Sequence, residues 1–342
     1  MSSSLEERIN RVQRILLVSL DNLGDVVFAS SLAQPLRDRF PTAAIDLWCK
    51  TYTADVARLI PHVRDVIASD PFWDRAPGRG KGAVLPFLGA LRRVHGGRYD
   101  IAVLSAAPWR TAAAVAATRI PVRLGLARRR NVRFLTHALA PEDVHRPVLR
   151  EMARVLEPLG IDPREPRYRL EGSPLRDRVR RLETSLVHYA STRGVLALHP
   201  FASKRNRCVP LDVWRSVARA MGSQGYTILW VGSSPELEEV RSSRTDAAWR
   251  FIDRAGDGTL ADTAAALSMA SLFAGHDSGP LHIAGAFGVP VLGVFAPGEP
   301  ERTFPQGVGP WKMIAEPSPA DVTDSRMVEQ LMALAPLRAR PS

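Results

Sequence analysis

Cysteine is nearly absent from this chain. The two that occur, Cys49 and Cys208, stand far apart with no second ligand-type residue at metal spacing, so neither a disulfide framework nor a zinc site is expected. Lysine is almost as scarce: only Lys50, Lys81, Lys204 and Lys312 stand among 46 Lys+Arg, and the net charge of +11 is carried by arginine. Arginine grips phosphate and carboxylate bidentately, which points to an anionic partner; the plain alternative is a solvated basic surface. Long apolar runs are missing too. Even the Ala-rich stretch 259–276 is broken by Asp262 and several hydroxyls, which excludes a membrane-spanning helix but not attachment to a membrane surface. No basic helix carries interleaved aromatics and the arginines are spread along the chain, so no nucleic-acid partner is expected. The opening MSSSLEERIN is polar and charged, unlike a secretory leader, and with the unpaired cysteines it suggests a cytoplasmic setting, with at most peripheral membrane contact.

What is present is a strongly patterned chain. At 45% hydrophobic and 24% charged it is too apolar to be disordered, and 342 residues exceed one comfortable core, so two domains are expected. Strand-like runs at 14–20, 44–49, 63–69, 99–105 and 122–126 alternate with helix-like segments at 25–39, 53–60 and up to 118. A Pro/Gly-rich stretch at 158–175 reads as a linker, and a Pro/Gly/Arg-rich excursion at 74–82 as a mobile loop. Beyond the linker the alternation restarts, with strands at 195–200, 226–232, 250–253, 271–277 and 290–297 between helices at 174–191, 211–224, 235–247, 260–270 and 279–287. Such alternation predicts parallel βαβ units, hence an α/β chain of two Rossmann-like domains over 1–165 and 166–342. Ligands of such sheets sit at the carboxyl ends of the strands, and a cleft between the domains is the default site.

Three strand ends and one helix start carry candidate chemistry. The first strand runs into Ser19-Leu20-Asp21-Asn22-Leu23-Gly24-Asp25, which has one glycine and is no dinucleotide fingerprint. Gly24 allows a tight turn or a close approach; Asp25 at the helix start is either a plain capping residue or a general base for a substrate hydroxyl. His276-Asp277-Ser278-Gly279-Pro280-Leu281-His282 joins a strand to a helix whose first N–H groups suit a phosphate. Asp277 there either holds sugar hydroxyls or caps, and His282 is either part of that site or a satisfied buried histidine. Ser203, Lys204, Arg205 and Arg207 follow the strand at 195–200 and fit a diphosphate or a solvated loop. Glu236, opening the next helix, suits a ribose diol or the helix dipole.

Together these segments resemble glycosyltransferase family 9, the ADP-heptose:lipopolysaccharide heptosyltransferase family. The resemblance rests on RILLVSLDNLGDVVFASSLAQPLRDRFPTAAIDLW, on IPVRLGLARRRNVRFLTHAL with His145 and LEPLG, on HPFAS with PLDVW, and on HDSGPLHIAGAFGVPVLGVFAPGEPERT, in the family's order over residues 13–310. It implies a GT-B fold, two Rossmann-like domains facing across a central cleft. The N-terminal domain would bind the acceptor, the C-terminal domain the nucleotide sugar, and a C-terminal tail would pack back on the first domain. Residue by residue, it implies that Asp25 is the catalytic base of an inverting transfer, with Gly24 beside it on the acceptor side. It places Ser203 on a phosphate, Glu236 on the ribose, and Asp277, Ser278, Gly279 and His282 around the diphosphate and sugar. The donor would be a nucleotide sugar, ADP-heptose by analogy, and the acceptor a glycan or glycolipid such as lipopolysaccharide core. Without an Asp-x-Asp clamp no metal and no cofactor is expected. The family's Lys-x-Trp-Pro reads Arg207-Cys208-Val209-Pro210 here, leaving Arg207 or Lys204 to hold the diphosphate. Arg128, Arg129 and Arg130, in the basic stretch 119–133, would meet an anionic acceptor at the membrane face. Another nucleotide sugar, a small-molecule acceptor, or a sugar-nucleotide epimerase of the same fold are the competing readings.

Overall fold

A strand that is apolar on both faces must be covered on both faces, and a parallel sheet sandwiched by its crossover helices meets that condition. The strand RILLVS shows it directly: every residue after Arg14 is buried. The computed structural model describes residues 9, 11–74, 80–142, 146–162, 164–186, 193–202, 204–241, 251–253 and 259–335. The chain divides into two units, Met1–Tyr168 and Arg169–Ser342.

Among the described residues of the first unit, β1 (Arg14–Ser19), β2 (Ala44–Cys49), β3 (Val63–Ala68), β4 (Ile101–Leu104), β5 (Val122–Leu126) and β6 (His137–Leu139) form one sheet in the order β3-β2-β1-β4-β5-β6. All pairings are parallel, with Val18 opposite both Trp48 and Leu104. Trp48 stacks on Phe87 at 5.4 Å between ring centroids, and its Nε1 donates to Ser69 Oγ at 2.8 Å. Asp46 on β2 is buried and held from two sides: Arg64 donates Nε at 3.0 Å and Nη2 at 2.5 Å, and the Tyr99 hydroxyl donates at 2.8 Å.

In the second unit, β7 (Gly194–His199), β8 (Tyr226–Trp230), β9 (Phe251–Asp253), β10 (Leu272–His276), β11 (Val291–Phe295) and β12 (Trp311–Ala315) form a parallel sheet in the order β12-β11-β10-β7-β8-β9. Counted from its own first strand, this is the winding of the first unit repeated. In both, strand order reverses between the first and fourth strands, β1 with β4 and β7 with β10. There the connections leave to opposite faces and open a crevice at the carboxyl ends.

Every strand expected from the sequence is present, but the segment 25–39 is not one helix. It is a helix Leu23–Ala29, a 3-10 turn Ser30–Leu32 and a helix Ala33–Arg39. Ser30 and Ser31 cause the break, donating their hydroxyls to the carbonyls of Val27 at 2.6 Å and Phe28 at 2.7 Å. The helix expected over 53–60 shrinks to Ala54–Ala57. The helix Asp324–Leu334 packs on the helix Leu211–Ser223 of the same unit. The tail beyond residue 335, most of the 74–82 excursion, and the ends of the helices expected at 174–191 and 235–247 lie outside the described residues. Both cysteines are free thiols, and no helix among the described residues is long and apolar enough to cross a membrane.

Candidate active site on two sheet edges

In the first unit the chain leaves β1 beside the β1/β4 reversal and turns directly into the helix Leu23–Ala29. Asn22 is the N-cap, and Asp25 at the third helical position completes a capping box, its Oδ2 accepting the Asn22 N–H at 3.2 Å. Gly24 therefore lies inside the first helical turn, and positive φ angles among described glycines occur only at Gly160, Gly194, Gly225 and Gly288. Of the two readings of Gly24, the tight turn is not formed; it leaves space without a side chain next to Asp25.

Asp25 is half-buried, and its carboxyl is pushed up from 3.8 to about 7. Burial is the largest cause and the neighbouring Asp21 carboxylate the next; the Asn22 N–H and the Lys50 ammonium pull the other way. Lys50 follows β2 at its carboxyl end. Its side chain is 2% exposed and pairs with Asp74 at 2.7 Å. Sequence reasoning counted this lysine without assigning it to the site. Its position one residue past a fully buried strand end was the available signal.

Arg128, Arg129 and Arg130 are exposed in the turn after β5, at the same carboxyl edge of the sheet. Asn131, fully buried, holds that turn: its Oδ1 accepts the Arg128 N–H at 2.7 Å, and its Nδ2 donates to Ala107 at 2.7 Å and Leu126 at 2.9 Å. His145 lies outside the described residues.

In the second unit β10 ends in His276, and the helix Gly279–Ala286 begins after two intervening residues. Ser278 is the N-cap, but its hydroxyl turns back to donate to the His276 carbonyl at 3.0 Å, so no side chain caps the first turn. Its backbone N–H groups, apart from Pro280, are left for an anion. Asp277 does not cap either. Its Oδ2 accepts the Thr303 hydroxyl at 3.0 Å, and its Oδ1 faces His282 Nε2 at 3.4 Å, with the His282 ring almost fully buried. Thr303 was missed, although it ends the GEPERT stretch that follows β11.

Two more buried histidines fix the neighbouring loops. His199, ending β7, bonds the Val231 carbonyl at 2.8 Å through Nδ1. His276 bonds Val294 at 3.3 Å through Nδ1 and accepts the Val209 N–H at 3.1 Å on Nε2, so its proton sits on Nδ1. Burial, with His199 beside it, pushes His276 down to about 4 and keeps it neutral. It thereby pins the loop that carries Lys204, which is exposed, and Arg207, which is half-buried. Ser203 lies outside the described residues. Arg205 is committed to Glu239 at 2.8 Å. A cavity of about 310 Å³ opens between this loop and the helix Ser234–Arg241, edged by Arg205, Cys208, Glu236 and Glu239. Glu236 Oε2 accepts both the N–H and the hydroxyl of Ser233 at 2.7 Å, which fixes its carboxylate at the cavity wall. Among the described residues no cluster of three His, Cys, Asp or Glu side chains gathers as a metal ion would need.

Residues 88–317 match the sequence model of glycosyltransferase family 9 (heptosyltransferase). The chain belongs to that family. A heptosyltransferase-family glycosyltransferase is thus what its two wound sheets compose.

Relatives of this glycosyltransferase agree in fold at low identity. A family 9 glycosyl transferase structure from Veillonella parvula superimposes with a TM-score of 0.80 at 19% identity, covering 94% of this chain and 97% of that one. The Escherichia coli ADP-heptose lipopolysaccharide heptosyltransferase II follows at 0.77 and 18%, covering 94% and 98%. Escherichia coli lipopolysaccharide heptosyltransferase 3 is 21% identical over 281 residues, 80% of either chain. The expected GT-B class, two Rossmann-like sheets, is the fold this glycosyltransferase adopts.

Proposed function

We propose that this glycosyltransferase moves a heptose from ADP-heptose onto a hydroxyl of an anionic glycolipid of the lipopolysaccharide-core class, with inversion and without a metal. The observation that carries the mechanism is Asp25: a half-buried carboxylate at the carboxyl end of β1, poised near neutrality. A base with a pKa close to the working pH is both available and strong enough to take a hydroxyl proton. Asp25 accepts that proton as the acceptor oxygen attacks the anomeric carbon from the face opposite the diphosphate. The new C–O bond forms as the bond to the diphosphate oxygen breaks, and the nucleoside diphosphate leaves with the electron pair.

The charge on the leaving group falls on the uncapped start of the helix Gly279–Ala286 and on Lys204 and Arg207, with Ser203 in the same loop. Asp277, oriented by Thr303 and His282, meets the sugar, and Glu236 meets the ribose at the mouth of the cavity. Heptose and ADP are supported by the relatives, one of which is an ADP-heptose lipopolysaccharide heptosyltransferase. Arg128, Arg129 and Arg130 suit acidic groups of an acceptor presented at a membrane face.

Calorimetric titration with ADP, UDP and GDP, repeated on Asp277→Ala, tests the donor assignment. Selective ADP binding weakened by the substitution supports it. Selective UDP or GDP binding discards heptose as the sugar, and no binding of any nucleotide overturns the transferase reading.

A further inference from the structure

The helix Val84–Gly96 of the first unit uses one face for the core. Phe87, Ala90 and Val94, spaced i, i+3 and i+7, are buried, and Phe87 meets Trp73 edge-on at 4.8 Å. The opposite face is apolar at its start, and no described residue covers it. Leu85 is 81% exposed, Val84 50% and Leu88 39%, and Phe72, 39% exposed, sets its ring edge-on to Phe87 of the same helix at 5.9 Å. Leu85, Leu88 and Arg92 recur at i, i+3 and i+7, so the outer stripe is apolar at its start and cationic at its end.

The segment's own charge has one sign, and among the described residues only Arg93 of its arginines is paired with an acid. Residues 80–99 hold Lys81, Arg92, Arg93 and Arg98 and no aspartate or glutamate. The acids that flank it in sequence are already engaged: Asp100 accepts the Gln13 and Arg14 N–H groups at 2.8 and 2.9 Å, Asp74 pairs with Lys50 at 2.7 Å, Asp70 accepts the Thr51 N–H at 3.0 Å, and Asp65 pairs with Arg93 at 2.6 Å. A protruding leucine with arginine on the same stripe suits entry between lipid headgroups: the leucine enters the acyl boundary while the guanidinium stays at the phosphates.

We propose that the outer face of the helix Val84–Gly96, with Phe72, docks this protein on an anionic phospholipid bilayer. The purpose of such docking rests on the glycolipid acceptor proposed above; the binding itself does not. The surface lies in the unit that carries Asp25, so docking would hold that unit where a membrane-held acceptor is presented.

Co-sedimentation of the full chain with vesicles of phosphatidylethanolamine and phosphatidylglycerol tests it, against vesicles of phosphatidylcholine alone. Binding is expected to the anionic vesicles only. Leu85→Glu with Leu88→Glu is expected to weaken it by about tenfold or more, since these residues supply the inserted apolar area. Leu85→Trp is expected to keep binding and to shift its fluorescence to the blue on anionic vesicles. Both side chains are exposed, so nucleotide binding is expected to stay unchanged and reports that the fold is intact. The proposal is overturned if the wild-type chain ignores anionic vesicles, if the double glutamate variant binds them equally well, or if it instead abolishes a dimer seen by size-exclusion chromatography. A failed transferase reading shows itself separately, as absent nucleotide binding with vesicle binding retained.

Discussion

The Thr303 hydroxyl reaches Asp277 at 3.0 Å, tying the loop after β11 to the start of the helix after β10. Asp277 is thus aimed from two sides, by Thr303 and by His282. Thr303→Val removes one guide and leaves the carboxylate held by His282 alone. Donor KM is expected to rise by about fivefold, the size of one lost hydrogen bond, while Thr303→Ser restores it. Steady-state kinetics with varied donor reads both, and an unchanged donor KM in the valine variant removes Thr303 from the site.

Asp25 gives the pH dependence a definite sign. The base works ionised, so kcat/KM falls as pH drops through about 7. Lys50 pulls that value down, so Lys50→Met moves the acid limb to higher pH; an unmoved limb refutes the coupling. Asp25→Asn lowers turnover by about a hundredfold or more while donor binding persists.

The same carboxyl also marks stability. Its folded pKa is raised above 3.8, so the folded state holds its proton more tightly and is progressively disfavoured as pH rises from about 4 through about 7. Asp25→Asn is therefore expected to melt at a higher temperature than the wild type above pH 7, with the gap closing in acid.

Replacing Arg128, Arg129 and Arg130 together with alanine is expected to raise acceptor KM and leave donor binding untouched, because Asn131 holds their turn without help from the guanidinium groups. An unchanged acceptor KM removes them from the acceptor site.

Turnover is expected to survive exhaustive chelation, since side-chain cations and a helix start are assigned the leaving charge. A loss restored by a divalent cation overturns the metal-independent reading.

The fold was legible wherever a strand is buried on both faces, as in RILLVS and VLGVF, because a continuous apolar run has no other use in so polar a chain. It was not legible at one edge of each sheet, β6 and β12. β6 is three half-exposed residues, and β12 alternates exposed residues with Ile314, so neither makes such a run. The helix Val84–Gly96 was not among the expected elements; Pro86, Gly89 and Gly96 interrupt its pattern. In the site, Asp277 could be found because it follows a strand end directly, and Asp25 and Glu236 because each opens the helix after a strand. Lys50 carries the same strand-end signal, but only the folded chain sets its ammonium near Asp25, and Thr303, at the end of a loop, gives no signal of its place on Asp277.

The burial of Lys50 has a practical consequence for chemical labelling. Of four lysines, this one is sealed against reagents, which leaves Lys81, Lys204 and Lys312 as the accessible side-chain amines. Lys204 alone among them stands in the loop assigned to the diphosphate. An acylating probe read by mass spectrometry would therefore follow occupancy of that loop at a single peptide, with Lys81 and Lys312 as internal standards in the same molecule.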